Sequence, residues 1–245
     1  MLLDIGEIEL YVETNEYGED LFNLAPSPPS SMTFIKAIKF SSTPACVTLY
    51  GNHLYAGTDN GALYRINKQT NKESLVLQLS DGTVSGVQVY HDELFVLSKN
   101  ADKVFVYNMT GNLLRSWEHK SSDHGVSKLC VLAGKVIVPE GAKVSSGLVS
   151  VYTIDGQLNK QIDCGFSISE SWKAMTGCGN NSIIGTDHAS GSVYRINIDS
   201  GEKLWESREV RVPEGVVCYK DRYVLHTSRH STGAKIWVLD IETGE

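Results

Sequence analysis

Three carboxylates recur in similar surroundings along the 245-residue chain, and they are the residues best suited to hold a metal ion. Asp59, Glu140 and Asp187 each lie in a polar turn between two apolar runs. Calcium takes six to eight oxygen ligands, often from several carboxylates. Three carboxylates are few for such a site, and acidic turn residues commonly bond to nearby backbone. We therefore expect no metal and no cofactor, and keep a hydrolase with a carboxylate-held metal ion near an axis as the alternative function.

The other chemically active residue types show no catalytic arrangement. His226 and His230 are four residues apart, a spacing that suits a metal site on a helix, but here it spans a strand end and a turn. The sequence contains neither a catalytic-serine elbow nor a phosphate-binding loop. We therefore predict no catalytic residues, and the sequence favours a non-catalytic protein over an enzyme.

The cysteines are odd in number, widely spaced and without a CxxC pair, which argues against the usual zinc and redox motifs. We expect them to be small buried apolar residues in a reduced, intracellular protein. The five are Cys46, Cys130, Cys164, Cys178 and Cys218.

Charge and hydropathy limit the partners. With 22 Lys and Arg against 29 Asp and Glu, the net charge is −7, which argues against general binding to nucleic-acid phosphates. No apolar run approaches the roughly 20 residues of a membrane span. The first residues, MLLDIGEIEL, carry acids where a signal peptide needs a basic region. We expect a cytoplasmic protein with no nucleic-acid partner and no membrane insertion.

Aromatic residues mark an internal repeat along the chain. Each marker lies in the second of two apolar runs, and successive markers are 42, 41, 45, 44 and 43 residues apart. A period of this length is typical of four-stranded propeller blades. The markers are Phe22, Tyr64, Phe105, Ser150, Tyr194 and Trp237, of which only the serine is not aromatic.

Each repeat predicts four strands and three turns. An inner strand such as CVTLY leads through a tight turn to a second strand such as LYAGT, and the third strand carries the marker. An outer strand such as EKLWESR follows an exit turn that needs left-handed backbone. Segments with helical periodicity are essentially missing. The exit-turn glycines are Gly111, Gly156, Gly201 and Gly244.

The sequence thus predicts an all-β fold, a single β-propeller domain over residues 1–245 with about six four-stranded antiparallel blades. The first repeat has only LLDIGE for its inner strand and reaches its outer strand, FIKAIKF, through the insertion APSPPSS. The last repeat ends before an outer strand. Such gaps indicate a fragment, a truncated gene model or a ring closed by its own termini, because unpaired strand edges are a hazard in β proteins. The repeats span about 1–44, 45–83, 84–125, 126–170, 171–213 and 214–245.

Several segments resemble known propeller repeats. GTDNGALYRINKQTN, SGSVYRINIDSGEKLWE and STGAKIWVLDIETGE look like the second half of WD40 and related quinoprotein-like repeats, and GNLLRSWEH is similar to an NHL-type repeat. The resemblance covers nearly the whole chain and implies a β-propeller. The quinoprotein likeness also implies a third function, a quinone-cofactor enzyme, for which the sequence shows no distinct site. The Trp-Asp pair of WD40 repeats is replaced by Tyr64-Arg65, Phe105-Val106, Tyr194-Arg195 and Trp237-Val238.

The turns between second and third strands are the predicted binding site. A propeller holds such turns on a rigid ring where proteins and peptides dock. Mixed charge suits a protein partner, although the set lacks the aromatic anchors that usually dominate interface energy. We therefore predict a non-catalytic scaffold that binds a protein or peptide on this face, and not on the opposite face with Asp92 and Asp221. The predicted binding residues are Thr58, Asp59, Asn60, Lys99, Asn100, Glu140, Asp187, His188, Ser228, Arg229 and His230.

Overall fold

The computed structural model confirms the all-β prediction. It describes residues 7–14, 31–39, 42–119, 128–140, 148–164, 172–187, 190–208, 213–219, 221–230 and 233–245. Every regular element in these ranges is a β-strand. The strands are β1 (Glu7–Thr14), β2 (Ser31–Lys39), β3 (Pro44–Tyr50), β4 (His53–Thr58), β5 (Ala62–Asn67), β6 (Glu73–Gln78), β7 (Val84–Tyr90), β8 (Glu93–Ser98), β9 (Lys103–Asn108), β10 (Leu113–Glu118), β11 (Cys130–Leu132), β12 (Lys135–Pro139), β13 (Leu148–Thr153), β14 (Leu158–Asp163), β15 (Trp172–Cys178), β16 (Ser182–Asp187), β17 (Ser192–Asn197), β18 (Lys203–Ser207), β19 (Pro213–Tyr219), β20 (Tyr223–His230) and β21 (Gly233–Asp240).

The strands form five propeller blades. In each blade, strands that follow one another in the sequence pair in antiparallel fashion. Blade I contains β3–β6, blade II β7–β10, blade III β11–β14 and blade IV β15–β18, while blade V has three strands, β19–β21. The innermost strands β3, β7, β11, β15 and β19 pack side by side in that order.

The predicted number of about six blades was wrong. The first repeat instead forms a two-stranded sheet, in which β1 pairs directly with β2 from Glu7 opposite Lys39 to Thr14 opposite Ser31. The predicted blade required a third strand around Phe22 between these two, and direct pairing leaves no place for it. Phe22 itself lies outside the described residues.

The predicted register of the repeat is confirmed in the five blades. Each marker residue lies opposite the fourth residue of the second strand of its own blade, including Ser150, which breaks the aromatic pattern. The cross-strand pairs are Tyr64 with Ala56, Phe105 with Val96, Ser150 with Val138, Tyr194 with Gly185 and Trp237 with His226.

The core consists of apolar layers between neighbouring blades. Successive side chains of a strand point to opposite faces of its sheet. In β8, Leu94 and Val96 therefore pack in the layer between blades I and II, whereas Phe95 and Leu97 pack in the layer between blades II and III. Tyr194 is buried between blades III and IV. Full burial of one such side chain contributes about 1.5–3 kcal/mol, so each blade is stabilised mainly by its neighbours.

The two ends of the blades form two rims. At the upper rim, the turns between second and third strands meet the starts of the inner strands: the amide of Asp59 donates to the carbonyl of Thr43, and that of Lys99 to Thr83. At the lower rim, the exit turns after the third strands meet the turns between first and second strands, as when the amide of Lys68 donates to the carbonyl of Asn52.

The lower rim repeats the same turn in every blade. The last residue of the third strand accepts hydrogen bonds from backbone amides two to four residues further on, through a side-chain oxygen. The predicted glycines close four of these turns with φ of 87°, 89°, 80° and 76°, and Asn71 closes the turn of blade I with φ of 58°. The accepting residues are Asn67, Asn108, Thr153, Asn197 and Asp240.

Lower-rim turns also dock onto the preceding blade. Gly156 of blade III packs against the indole of Trp117 in blade II, where a Cβ atom would collide with the ring. Arg115 of blade II forms a two-point ion pair with Glu93, at 2.9 and 2.6 Å, and donates to the carbonyl of Ile154 in blade III. The contacts of Arg115 and Trp117 therefore join one blade to the next.

Candidate functional site

Several of the predicted binding residues lie at the upper rim, but two of them in blade I bond within their own turn. The Thr58 side chain is fully buried, and its Oγ1 accepts a hydrogen bond from the Ala62 amide at 3.1 Å. The same oxygen lies 2.7 Å from Oδ1 of Asn60. Polar side chains that bond to turn backbone in this way stabilise the turn. Thr58 therefore serves the fold of its own turn, and its buried side chain is poorly placed to contact a partner.

Two of the three candidate metal carboxylates are also engaged within the fold. The Glu140 carboxylate accepts hydrogen bonds from Ser150 and from Gln161, the latter at 3.2 Å. Because Gln161 belongs to the outer strand β14, this carboxylate is directed towards the outside of blade III. Asp187, the last residue of β16, is only 2% exposed. Asp59 is exposed at the upper rim.

The exposed part of the predicted site in blades I and II consists of Asp59, Asn60, Lys99 and Asn100. Thr83 fixes the position of one of them, since its Oγ1 donates to the carbonyl of Asp59 at 3.0 Å. This bond joins the turn of blade I to the start of blade II.

Three of the remaining predicted residues lie in a strand instead of a turn, and a fourth is not described. Ser228, Arg229 and His230 do not lie in the turn, because β20 continues through them and pairs them with residues 235, 234 and 233 of β21. Their backbone is thus part of a ladder rather than of a loop. His188 lies outside the described residues.

Two of the cysteines are joined, contrary to the expectation that all five are free. A disulfide links Cys178 of β15 to Cys218 of β19 and so connects blades IV and V near the lower rim. Their separation of 40 residues is about one repeat, which was the sequence signal for equivalent positions on adjacent blades. Of the remaining three, Cys130 and Cys164 are buried as predicted, and burial raises the pKa of both thiols to about 12. Cys46 is only half-buried.

The described residues do not gather the carboxylates that the alternative hydrolase would need. Within them, the one group of three metal-ligand side chains whose ligand atoms lie within 4.8 Å of one another is Cys178, Cys218 and Asp221. Both sulfur atoms there belong to the disulfide. Asp59, Glu140 and Asp187 do not form such a group.

His226 is a buried titratable residue that the sequence reasoning treated as a turn residue. It lies inside β20, is 1% exposed and stacks on Trp237 with ring centroids 6.3 Å apart. Loss of hydration disfavours the charged imidazolium and lowers the pKa of His226 to about 4. The ring is therefore neutral at pH 7 and contributes to blade packing.

An axial channel, which no sequence pattern indicated, is lined by residues of the five inner strands or directly before them. Its upper part has a volume of about 500 Å³ and begins where those strands leave the upper rim. Apolar side chains dominate its wall, and those on β3 and β19 are widely exposed: Val47 by 47%, Leu49 by 58% and Val217 by 53%. Ligand sites commonly have volumes of 300–1,000 Å³ with mostly apolar walls.

Lys128 is the charged residue of this channel wall. It immediately precedes Leu129 and β11, is half-buried, and its Nζ lies 3.5 Å from the carbonyl oxygen of Ala45 in blade I. No carboxylate in the described ranges forms an ion pair with it. The other described wall residues of the upper channel are uncharged.

The wall residues described for the upper channel do not supply the cations that a quinone cofactor with several carboxylates would need. Such a group needs several compensating cations, and Lys128 is the single cation among the wall residues described for the upper channel.

Five antiparallel blades around an axial channel define the protein as a β-propeller. A family model described as outer membrane protein assembly factor BamB matches residues 23–245. The chain therefore belongs to this PQQ-type family of quinoprotein-like repeats. The match supports the quinoprotein-like part of the resemblance noted from the repeat sequences.

Solved structures support the fold in the same way. The crystal structure of the computationally designed protein Ika8 is similar to this chain with a TM-score of 0.59 and 17% sequence identity. The similarity covers 87% of this chain and 63% of the designed one, so this chain spans less than two thirds of that length. No curated protein matched in the sequence comparison. Among the described residues, the structure contains no helix long and apolar enough to cross a membrane.

Proposed function

We propose that this protein is a non-catalytic scaffold that binds a protein or peptide segment at the upper rim and the upper channel mouth. The observation that carries the proposal is the open channel, whose widely exposed Val47 lies on the first strand after the rim. Protein interfaces combine an apolar centre with a polar surround. The exposed turn residues Asp59, Lys99 and Asn100 would supply that surround.

The family supports a binding role, since its description names an assembly factor, a protein that acts on other proteins. The apolar channel wall also supplies what the turn residues lack, because apolar anchors in a pocket usually dominate interface energy. The acidic balance of the chain, −7 overall, favours a protein partner over nucleic acid.

The proposal rests on those predicted residues whose side chains are exposed. Asp59, Asn60, Lys99 and Asn100 are exposed, whereas the side chains of Thr58, Glu140 and Asp187 are taken up by the fold. Ser228, Arg229 and His230 stay in the proposal as residues at the end of β20, and His188 stays in it on its sequence position alone. The cytoplasmic location predicted from the sequence also stays a prediction, and in that compartment the Cys178–Cys218 pair would be held reduced.

Peptides selected against the protein from a random display library test this proposal. We expect the double charge reversal Asp59→Lys with Lys99→Glu to abolish most of their binding while leaving the melting temperature almost unchanged. The matched control is Lys72→Glu with Glu202→Lys, two exposed lower-rim residues, which should leave binding intact. Loss of binding in the control alone would place the site on the lower rim and refute the proposal.

A further inference from the structure

We infer that the upper channel binds the C-terminal carboxylate of a peptide whose last residues are apolar, with Lys128 as the counter-charge. This inference rests on the proposed function, because it names the part of the partner that enters the channel. The carboxylate would meet the Lys128 ammonium group, and the preceding side chains would pack on the channel wall.

Among the residues that the structure describes, Lys128 uses little of its hydrogen-bonding capacity. An ammonium group has three N–H donors. Its acceptor within these residues is the carbonyl of Ala45, at 3.5 Å, near the upper limit for a hydrogen bond. With respect to the described part of the wall, two donors are available to a ligand that enters the channel.

The charge balance of the channel favours an anion. The described wall residues of the upper channel include no acidic side chain, and Lys128 is half-buried. A cation that is partly removed from water gains from an anionic partner, and hydrogen bonds between two ions are about twice as strong as those between neutral groups.

The rest of the channel wall favours apolar side chains in the peptide residues next to that carboxylate. Val87, Leu129 and Met175 are almost fully buried around the channel, and Val47 is half-exposed to it. A chain terminus can enter a channel of about 500 Å³ end-on, whereas an internal acidic residue would bring chain on both sides. The geometry therefore points to a chain end with one or two small apolar residues.

The test compares two probes that differ only in charge, N-acetyl-alanyl-valine with a free carboxylate and the same dipeptide with a C-terminal amide. Binding is measured by NMR titration on the full 245-residue chain, following the methyl groups of Val87, Leu129 and Met175. We expect the acid to bind about 30-fold more tightly than the amide, since removing one partner of a buried ion pair costs at least this much.

Variants of Lys128 decide whether this residue is responsible. In Lys128→Met the preference for the acid should disappear, in Lys128→Arg it should persist, and in the control Lys72→Met it should be unchanged. The inference is overturned if neither dipeptide shifts the channel methyl signals, if both bind equally, or if Lys128→Met keeps the preference. An amidated dipeptide with an internal glutamate that binds as well as the free acid would also overturn it.

Failure here can be told apart from failure of the scaffold function. Suppose that display-selected peptides lose binding to the Asp59→Lys, Lys99→Glu variant but still bind the Lys128→Met variant. The scaffold proposal would then hold, and the inference about the carboxylate would be refuted. Peptides that ignore the upper-rim reversal would contradict the scaffold proposal itself.

Discussion

The lower and upper rims of the propeller differ in how their turns are held. At the lower rim every blade uses the same device, a side-chain oxygen that caps the exit turn and a left-handed residue that closes it. Contacts such as Gly156 on Trp117 and Arg115 to Ile154 then join that turn to the preceding blade. At the upper rim the turns differ from blade to blade in length and composition.

This difference separates the part of the repeat that builds the fold from the part that is free to vary. A position needed in every blade to dock on its neighbour cannot change without loss of stability. Turns at the upper rim bond to the starts of inner strands through their backbone in blades I and II, but they share no side-chain cap. Their exposed side chains can therefore vary and carry a binding site on a rigid support. Three measurements test whether the two rims differ in this way.

The largest effect is expected from reducing the disulfide near the lower rim. Cys178 and Cys218 enclose a loop of 40 residues between blades IV and V, and the chain-entropy estimate for a loop of this length is about 4 kcal/mol. We expect dithiothreitol to lower the free energy of unfolding in urea by about this amount. The double variant Cys178→Ser, Cys218→Ser should start from the lower value and show no response to the reductant. An equal response in that variant would mean that the stabilisation comes from elsewhere.

The next effect is expected at Gly156. An added methyl group there meets both a left-handed backbone (φ 89°) and the indole of Trp117. Left-handed strain and overpacking each cost about 1–3 kcal/mol, so Gly156→Ala should destabilise the protein by about 3 kcal/mol in urea unfolding. Gly134 provides the control, because it has φ of 72° but open space around it. Gly134→Ala should cost only about 1 kcal/mol, and equal losses at both positions would show that the Trp117 contact contributes nothing.

The repeat could be predicted from the sequence because the residues that mark it occupy a position that the fold needs in every blade. Tyr64, Phe105 and Tyr194 set the register, and the spacing then placed even Ser150 correctly opposite Val138. The blade count failed at the N-terminal end, where β1 pairs with β2 over a connection that the repeat pattern treated as a third strand.

The site was less predictable because a polar residue in a turn has the same appearance whether it faces solvent or serves the fold. Thr58 and Glu140 were chosen as exposed rim residues, yet each bonds within its own blade. The channel depends on how the inner strands of five blades come together, and no local pattern records that. Lys128 precedes an apolar run, so nothing in its own sequence neighbourhood shows that it reaches Ala45 of another blade.

The smallest effect is expected at the exposed upper rim. Charge reversal of Asp59 or Lys99 should change the free energy of unfolding by no more than about 0.5 kcal/mol, as is usual for exposed positions. Asp187→Lys, at an almost fully buried position of the same rim, should cost several kcal/mol more because it buries a new charge. Similar losses for all three in urea unfolding would mean that the upper rim is as constrained as the lower one.

Blade III carries a serine where the other blades carry an aromatic ring, and this has a consequence for how such chains can be copied or recombined. Ser150 donates to Glu140, and Gln161 bridges to both, at 3.2 Å to the carboxylate and 3.3 Å to the hydroxyl. A repeat-averaged sequence with tyrosine at this position would insert a ring among polar groups and take one donor from the carboxylate. The three residues lie within 22 positions of one repeat, so a gene duplication of that whole repeat would transmit them together. Replacing single residues of this repeat by the residue most common in the other repeats would separate the three and break their hydrogen bonds.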